Sequence, residues 1–314
     1  MKKLISVLLA LSLLALLPAC AETVRVTGLM GPTGMGLAHM MAQNDGTYEF
    51  TLRSAPENLT GDIISGNTDI AAVPTNLAAV LYNKTSGGIR VLALNTLGVL
   101  YILENGNAIQ SAADLSGKTI VAAGQGSTPE YILQYILQAQ GVQDVTIEWR
   151  SEHSEVTALA AAGKADIVLL PEPQVTALQS KAPQFRVALD LTEEFSAASA
   201  LAGDEDALLT QGCYVVRTEY LESHPDEVQQ FMADCAASSA FVNENPEQAA
   251  QEIFECGILT SAAIAQSAIP GCHIVFIAGE EMRKSLTPLL EIFHAMNPQS
   301  VGGSLPGDEL YYLP

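Results

Sequence analysis

Two stretches of the sequence share one pattern, and this internal repeat constrains the fold more than any other feature. Residues 64–76, ISGNTDIAAVPTN, and residues 161–173, AAGKADIVLLPEP, each hold a glycine, an aspartate three positions later, a four-residue apolar segment and a proline. Matching positions are 97 residues apart throughout. The pattern is typical of a helix that ends at the glycine, a buried strand of a parallel sheet and a proline-led turn into another helix. We therefore expect an α/β fold with two similar lobes and mostly parallel sheets.

A glycine-rich turn precedes each copy of the repeat. Residues 24–44, VRVTGLMGPTGMGLAHMMAQN, and residues 118–140, KTIVAAGQGSTPEYILQYILQAQ, both predict a strand, a turn with several glycines and an amphipathic helix. The first turns of such helices leave backbone N–H groups free, and the helix dipole favours a negative or polarised group there. The alternative is that the glycines only let strand and helix pack closely.

Four predicted strand-to-helix turns define the expected binding site. They lie at residues 31–36, 74–76, 126–130 and 171–173. Ligands of open α/β sheets bind beyond the carboxyl ends of the strands, so four such turns line one cleft if the lobes face each other. Ser127 and Thr128 can also act as ordinary helix caps, and Glu172 can simply occupy a favourable first turn of its helix. The expected ligand contacts are Met30, Gly31, Thr33, Thr75, Asn76, Ser127, Thr128, Glu172 and Gln174.

Two β-rich runs bracket the second repeat. Residues 97–103, LGVLYIL, and residues 212–218, GCYVVRT, are interpreted as strands that cross between the lobes and form a two-strand hinge. On this interpretation, lobe 1 comprises residues 21–101 and 215–314, and lobe 2 comprises residues 102–214.

The first twenty residues predict export rather than a part of the fold. Lys2 and Lys3 precede an apolar stretch from Leu4 to Leu17, which has the length of a signal-peptide core. The following Leu17-Pro18-Ala19-Cys20 resembles a bacterial lipobox, which implies that Cys20 is lipidated and anchors the chain to the membrane outside the cytoplasm. Plain cleavage nearby is the alternative. No later apolar run is long enough to predict a membrane span.

Charge and cysteine content narrow the partners. The formal net charge is −21, and −23 without the first twenty residues, which argues against nucleic acid and anionic lipid headgroups as partners. An exported chain can oxidise its cysteines, and we expect a Cys256–Cys272 bridge because one short helix separates the pair; free buried thiols are the alternative. The spacing of cysteine and histidine does not suggest a metal site, and no cofactor is predicted.

Five segments together carry a family resemblance. In chain order they are GLMGPTGMG, SGNTDIAAVPTN, DLSGKTIVAAGQGSTPEYIL, AAGKADIVLLPEP and YVVRTEYLESHPDEVQQFM. With the lipobox, they resemble the solute-binding lipoproteins of ABC importers in the nitrate, sulfonate, taurine and thiamine-precursor group. The resemblance implies a type II periplasmic-binding-protein fold, a monomer that closes on a small-molecule ligand, and delivery of that ligand to an ABC permease.

The ligand class is open at this stage. None of the arginines and lysines lies in the four turns, so a small uncharged or cationic heterocycle or an amine fits better than a sulfonate-like anion. Backbone N–H groups alone can still bind anions. Two other functions use the same cleft. One is a tethered sensor; the other is an enzyme like the pyrimidine synthases of this fold, whose cysteine-rich iron motif is missing here. The five histidines are expected to be structural or on the surface.

Overall fold

A computed structural model describes residues 23–205 and 207–314, and the expected signal peptide and Cys20 lie outside these residues. The described residues form eleven strands. These are β1 (Val24–Leu29), β2 (Tyr48–Arg53), β3 (Ile70–Pro74), β4 (Ile89–Leu97), β5 (Leu100–Asn105), β6 (Thr119–Ala123), β7 (Thr146–Arg150), β8 (Ile167–Pro171), β9 (Phe185–Asp190), β10 (Thr210–Arg217) and β11 (Ile274–Ala278).

Helices separate most of these strands. In the described part of the chain they are α1 (Pro32–Met35), α2 (Ala38–Ala42), α3 (Pro56–Ile64), α4 (Thr75–Lys84), α5 (Thr128–Ala139), α6 (His153–Ala161), α7 (Gln174–Lys181), α8 (Leu191–Ala202), α9 (Thr218–Ser223), α10 (Pro225–Glu244), α11 (Pro246–Glu255), α12 (Ala262–Ala268) and α13 (Gly279–Met296). Short 3₁₀ turns lie at Ala112–Leu115, Ile269–Cys272, Pro298–Val301 and Asp308–Leu310. Among all these helices, none combines the length and the apolar character needed to cross a bilayer.

The strands form two sheets, each the centre of one lobe. The large lobe has a six-stranded sheet in the order β11-β4-β10-β3-β1-β2, and the small lobe has a five-stranded sheet in the order β7-β6-β8-β5-β9. Both sheets are mixed. In the large lobe β10 and β11 run antiparallel to the other four strands, and in the small lobe β5 runs antiparallel to the other four. The expected two-lobed α/β fold is confirmed.

Both copies of the repeat adopt the same structure. α3 and α6 each end two residues before a glycine with positive φ, Gly66 at 71° and Gly163 at 70°. The apolar segments that follow are β3 and β8, and in each of them alternate residues face opposite apolar clusters, with Ile70 on one side of the sheet and Ala71 on the other. Helices therefore cover both faces, which explains why these strands are continuously apolar.

The chain passes between the sheets at two places. The first passage is residues 98–99, between β4 and β5, and the second follows α8 and ends where β10 begins. The run at residues 212–218 is not a crossing strand, because β10 lies wholly in the large sheet, between β3 and β4. The expected lobe limits after Tyr101 and Tyr214 fall inside strands, so we propose limits at residues 98–99 and 203–209 instead.

The predicted Cys256–Cys272 bridge is not formed. The structure has both residues as free thiols, together with Cys213 and Cys235. Cys272 is fully buried at the end of its 3₁₀ turn, whereas Cys256 follows α11 and its Sγ lies 3.9 Å from the carbonyl oxygen of Ala38. Both sulfurs contact the apolar cluster between α2, α10 and α12, where thiols pack as small hydrophobic groups.

Candidate ligand-binding cleft

A cavity of about 530 Å³ lies between the two lobes, at the edge where the parallel strands of both sheets end. Five of the residues expected to contact a ligand line it. They are Thr33, Asn76, Ser127, Thr128 and Glu172. The structure therefore brings together residues from all four predicted turns, two on each lobe. Direct contact of these side chains with a ligand stays a prediction.

Four expected residues do not line the cavity. Met30 is 42% exposed, and its backbone N–H donates to the carbonyl oxygen of Arg53. Gly31 adopts a φ of 94°, and its N–H donates to the carbonyl oxygen of Ile258. The hydroxyl of Thr75 is buried, where it donates to the carbonyl oxygen of Thr210 at 3.0 Å. Gln174 accepts a hydrogen bond from the Thr157 hydroxyl at 2.9 Å. The side chains of Thr75 and Gln174 are thus engaged in hydrogen bonds within the protein.

Several wall residues were not expected from the sequence. Leu77 of α4 adds an apolar side chain, and Val99 and Leu100 come from the first passage between the lobes and the start of β5. Two polar residues, His153 and Gln211, also line the cavity. His153 begins α6 directly after β7, which runs parallel to β6 and so ends at the same edge of the sheet. The histidines were expected to be structural or on the surface, and the turn before His153 has neither the glycines nor the proline that marked the predicted turns.

Prolines are prominent in the wall. Five of them line the cavity, namely Pro32, Pro56, Pro74, Pro129 and Pro171. Pro32 and Pro56 begin α1 and α3, where proline is favoured because its fixed φ suits the first helical turn. A proline has no backbone N–H. The start of α1 therefore offers fewer donors to an anion than its glycine-rich sequence suggested, and the same loss applies to the start of α3.

Glu172 is the acidic group of the wall. It is 7% exposed, and its two carboxylate oxygens accept from the backbone N–H and the hydroxyl of Thr176, at 3.1 and 3.0 Å. Gly271 of the large lobe packs against it so closely that a Cβ there would lie 3.1 Å from Oε1. Burial raises the pKa of Glu172 to about 7, although the hydrogen bonds from Thr176 act in the opposite direction. Glu172 can therefore donate or accept a hydrogen bond near neutral pH.

His153 and Gln211 each carry an unsatisfied polar atom. Nδ1 of His153 and Oε1 of Gln211 are screened from solvent and have no hydrogen-bond partner. Burial lowers the pKa of His153, although the nearby Glu152 carboxylate acts against it, so the imidazole is neutral at physiological pH. A buried polar group without a partner costs roughly 1–3 kcal/mol. These two atoms therefore lower the stability of the folded protein, since neither is accessible to solvent or to the cavity.

Basic side chains near the cleft are paired with carboxylates. No lysine or arginine is among the residues that line the cavity. Arg53 and Arg150 stand at the carboxyl ends of β2 and β7, but Arg53 donates to Asp62 at 2.8 Å and Arg150 donates to Glu148 at 2.7 Å. The described residues also contain no group of three histidine, cysteine, aspartate or glutamate side chains arranged to hold a metal ion.

A second cavity, of about 470 Å³, lies on the other side of Glu172. Its walls include Tyr101 of the small lobe and Gly271 of the large lobe, and the Tyr101 hydroxyl donates to the Gly271 carbonyl oxygen at 2.8 Å. A further hydrogen bond between the lobes joins Asn297 Nδ2 to the hydroxyl of Tyr131, at 2.8 Å. The lobes are thus in direct contact at these two places.

Comparison with known proteins assigns this arrangement to a family. A family model described as NMT1/THI5 like matches residues 89–249, which is just over half of the chain. The chain belongs to the NMT1/THI5-like family. The resemblance predicted from the five sequence segments is thereby confirmed. No curated protein matches this NMT1/THI5-like chain.

Solved structures show the same fold. An ABC transporter protein from Parabacteroides distasonis has a TM-score of 0.77 at 22% identity, over 92% of this chain and 98% of that chain. The periplasmic aliphatic sulphonate binding protein SsuA from Escherichia coli has a TM-score of 0.72 at 16% identity, covering 93% and 92%. The alkanesulfonate-binding protein SsuA from Xanthomonas axonopodis pv. citri, bound to MOPS, has a TM-score of 0.61 at 16% identity, covering 91% and 94%.

Proposed function

We propose that this NMT1/THI5-like protein is an extracytoplasmic solute-binding receptor that takes up a small molecule between its lobes and delivers it to an ABC permease. The observation that supports this most is the cleft, whose wall is built from strand ends of both lobes. A molecule held by both lobes stabilises their closed arrangement, and a permease can distinguish that arrangement from the open one. The protein acts as a monomer and binds its ligand without altering it.

The composition of the wall supports an uncharged or weakly basic ligand. The cavity is lined by prolines, aliphatic side chains, hydroxyls and amides, and its titratable side chains are His153 and Glu172. A sulfonate or nitrate ion would find neither a guanidinium nor an ammonium group there, and the prolines reduce the number of backbone donors. A small heterocycle or an amine suits the hydrogen-bonding groups of the cleft better than such an anion does.

Ligand screening by thermal unfolding tests the receptor function. Protein comprising residues 21–314 is heated with purines, pyrimidines, amino acids, alkanesulfonates and nitrate in turn. A ligand present at 100 times its dissociation constant stabilises the folded state by about 2.7 kcal/mol, which raises the melting temperature measurably. Small-angle scattering of the same sample should then show a more compact particle. A protein that none of these classes stabilises would contradict the receptor function.

We also propose that Cys20 is lipidated and tethers the receptor to the outer face of the cytoplasmic membrane. This rests on the Leu17-Pro18-Ala19-Cys20 segment that follows the apolar stretch. Expression of the full chain in a bacterial host should place the protein in the membrane fraction, and Cys20→Ser should move it out of that fraction. Mass spectrometry of the mature N-terminus decides the point, since an unmodified Cys20 excludes the anchor.

A further inference from the structure

Glu172 lies between the two lobes, and each lobe covers part of it. It follows β8 of the small lobe and lines both the cleft and the second cavity. Gly271 packs against it from the large lobe, since a Cβ there would lie 3.1 Å from Oε1 and 3.2 Å from Cγ of Glu172. Other residues of the large lobe form part of the wall of both cavities beside it. Separation of the lobes would therefore expose this carboxyl group to water.

The surroundings of this carboxyl group do not compensate a negative charge. Its two oxygens accept from the backbone N–H and the hydroxyl of Thr176. No lysine or arginine is among the residues that line either cavity. A carboxylate is costly to remove from water without a cation beside it, so a carboxyl group in such a place keeps its proton to a higher pH. Burial accordingly raises the pKa of Glu172 to about 7.

Other titratable groups lie near Glu172 on the surrounding elements. They are Tyr101 of β5, Cys272 of the adjacent 3₁₀ turn, His153 of the cleft wall and, beside Tyr101, His273 and Asp190. Burial raises the pKa of Tyr101 and of Cys272, so both stay uncharged near neutral pH. Burial lowers the pKa of His153, so protonation of this residue at acidic pH acts against its buried position. A protonated His273 would attract the Asp190 carboxylate of the other lobe, which lies 3.9 Å from its Nε2.

We propose that closing of the lobes over Glu172 takes up a proton, so that the ligand-free protein closes at acidic pH and opens as the pH rises through neutrality. The closed arrangement hides the carboxyl group from water, whereas the open one leaves it hydrated and able to ionise at a lower pH. The ratio of closed to open protein should therefore fall by up to about tenfold per pH unit in this range. This inference rests on the proposed receptor function and adds its regulation, because a receptor that closes more readily retains its solute better at acidic pH.

Gly271 offers a way to hold the lobes apart without changing Glu172. A Cβ at this position would also lie 3.3 Å from the hydroxyl of Tyr101, so a large side chain does not fit between the lobes while they are closed. Gly271→Trp should therefore keep the protein open. Gly61→Trp is the matched control, because Gly61 lies in α3 and a Cβ there meets nothing within 4 Å.

Carbon-13 NMR of the glutamate carboxyl groups measures the titration of Glu172 in ligand-free protein comprising residues 21–314. Its signal is the one that Glu172→Gln removes. In the wild type, Glu172 should titrate at least one pH unit above its value in Gly271→Trp, because water reaches the carboxyl group when the lobes are apart. Gly61→Trp should titrate like the wild type.

Small-angle scattering of the same proteins measures whether the lobes move. The radius of gyration of the wild type should increase as the pH is raised from 5 to 8, whereas Gly271→Trp should be larger than the wild type at pH 5. Glu172→Gln should stay compact, because its amide cannot ionise. Since Glu172→Gln retains His153 and His273, any pH dependence left in it measures their contribution. Glu104→Gln is the control, as Glu104 is buried and paired with Arg186 within the small lobe, and it should respond to pH like the wild type.

Two results would overturn the inference. One is titration of Glu172 at the same pH in the wild type and in Gly271→Trp, because the large lobe then does not determine the state of the carboxyl group. The other is a wild type whose radius of gyration is constant from pH 5 to 8, or changes equally in Glu172→Gln. If circular dichroism shows that Gly271→Trp is unfolded, the scattering of the wild type and Glu172→Gln decides alone.

The receptor function is tested separately by the thermal screen. A compound that stabilises the protein there leaves the receptor function standing even when the lobes do not respond to pH. A screen without any stabilising compound contradicts the receptor function, whatever the titration of Glu172 shows.

Discussion

A single carboxyl group between the lobes makes the stability of this protein depend on pH near neutrality. Glu172 is buried, its oxygens accept only from Thr176 among the described residues, and burial raises its pKa from 4.5 to about 7. The unfolded chain releases this proton at a lower pH than the folded chain does. Between pH 4.5 and 7 the folded state therefore holds a proton that the unfolded state has lost, and the free energy of unfolding decreases as the pH rises through this interval.

The variant Glu172→Gln should remove this dependence. Across the interval, wild-type protein should lose about 3 kcal/mol more unfolding free energy than the variant does. The stability of the variant should itself rise with pH up to about 6.5, because burial lowers the pKa of His153 in the folded state. Urea unfolding at a series of pH values measures both. Glu104→Gln is the matched control. Burial acts to raise the pKa of Glu104, but hydrogen bonds from Ala108, Ile109 and Arg186 outweigh it and lower the pKa, so this variant alters the dependence only at more acidic pH. A variant whose stability follows the same pH dependence as the wild type contradicts the role of Glu172.

At the scale of elements, the first passage between the lobes is built around a glycine. The carbonyl oxygen of Gly98 accepts from Nδ1 of His273 at 2.6 Å, and the N–H of Leu97 donates to the carbonyl oxygen of His273 at 3.1 Å. A Cβ at Gly98 would lie 2.8 Å from Cδ2 of Leu209, and it would also overlap the hydroxyl of Thr192. The passage thus packs against the start of α8 and the segment before β10, with no room for a side chain.

Gly98→Ala should therefore destabilise the protein by about 1–3 kcal/mol, since an added methyl group forces packed atoms apart. Chemical unfolding followed by circular dichroism measures the loss. Gly61→Ala serves as the control, because Gly61 lies within α3 and a Cβ there meets nothing within 4 Å. That substitution should leave the stability unchanged or raise it by up to about 1 kcal/mol, as alanine is the better helix former. Equal stabilities of the two variants would show that the passage is not tightly packed.

On the scale of the whole molecule, the proposed receptor function requires open and closed arrangements, and we expect hydrogen bonds between the lobes to favour the closed one. Tyr101→Phe removes the bond to the Gly271 carbonyl oxygen and leaves the aromatic ring in place. The ligand-free variant should be more open, with a larger radius of gyration in small-angle scattering, and should bind its ligand several-fold more weakly, because one net hydrogen bond contributes about 1 kcal/mol.

The control for this variant is Tyr135→Phe, whose hydroxyl bonds to Ser199 within the small lobe. It should alter neither the scattering curve nor the affinity. If both variants behave like the wild type, the contact at Tyr101 does not favour the closed form.

The sequence allowed the lobes and part of the cleft to be predicted, for identifiable reasons. Gly66 and Gly163, with the apolar strands that follow them, depend on local rules of helix ends and buried strands, and these rules held. Gln211 could not be placed in the cleft wall from the sequence. Its position there depends on β10 lying antiparallel beside β3 and on a bulge that no local pattern marks. His153 was expected, like the other histidines, to be structural or on the surface, because its place in the cleft wall depends on the pairing of β7 with β6.

The position of β10 also determines the order in which the protein can assemble. All strands of the small sheet lie between Leu100 and Asp190, so that sheet can be completed while the remainder of the chain is still being made. The large sheet cannot be completed so early, because β3 and β4 are joined only through β10, which lies between them. Residues 210–217 must therefore be synthesised first. The middle of the polypeptide is thus able to fold before its beginning. The amino-terminal strands, although synthesised first, must wait in an unfinished state for a segment from the final third.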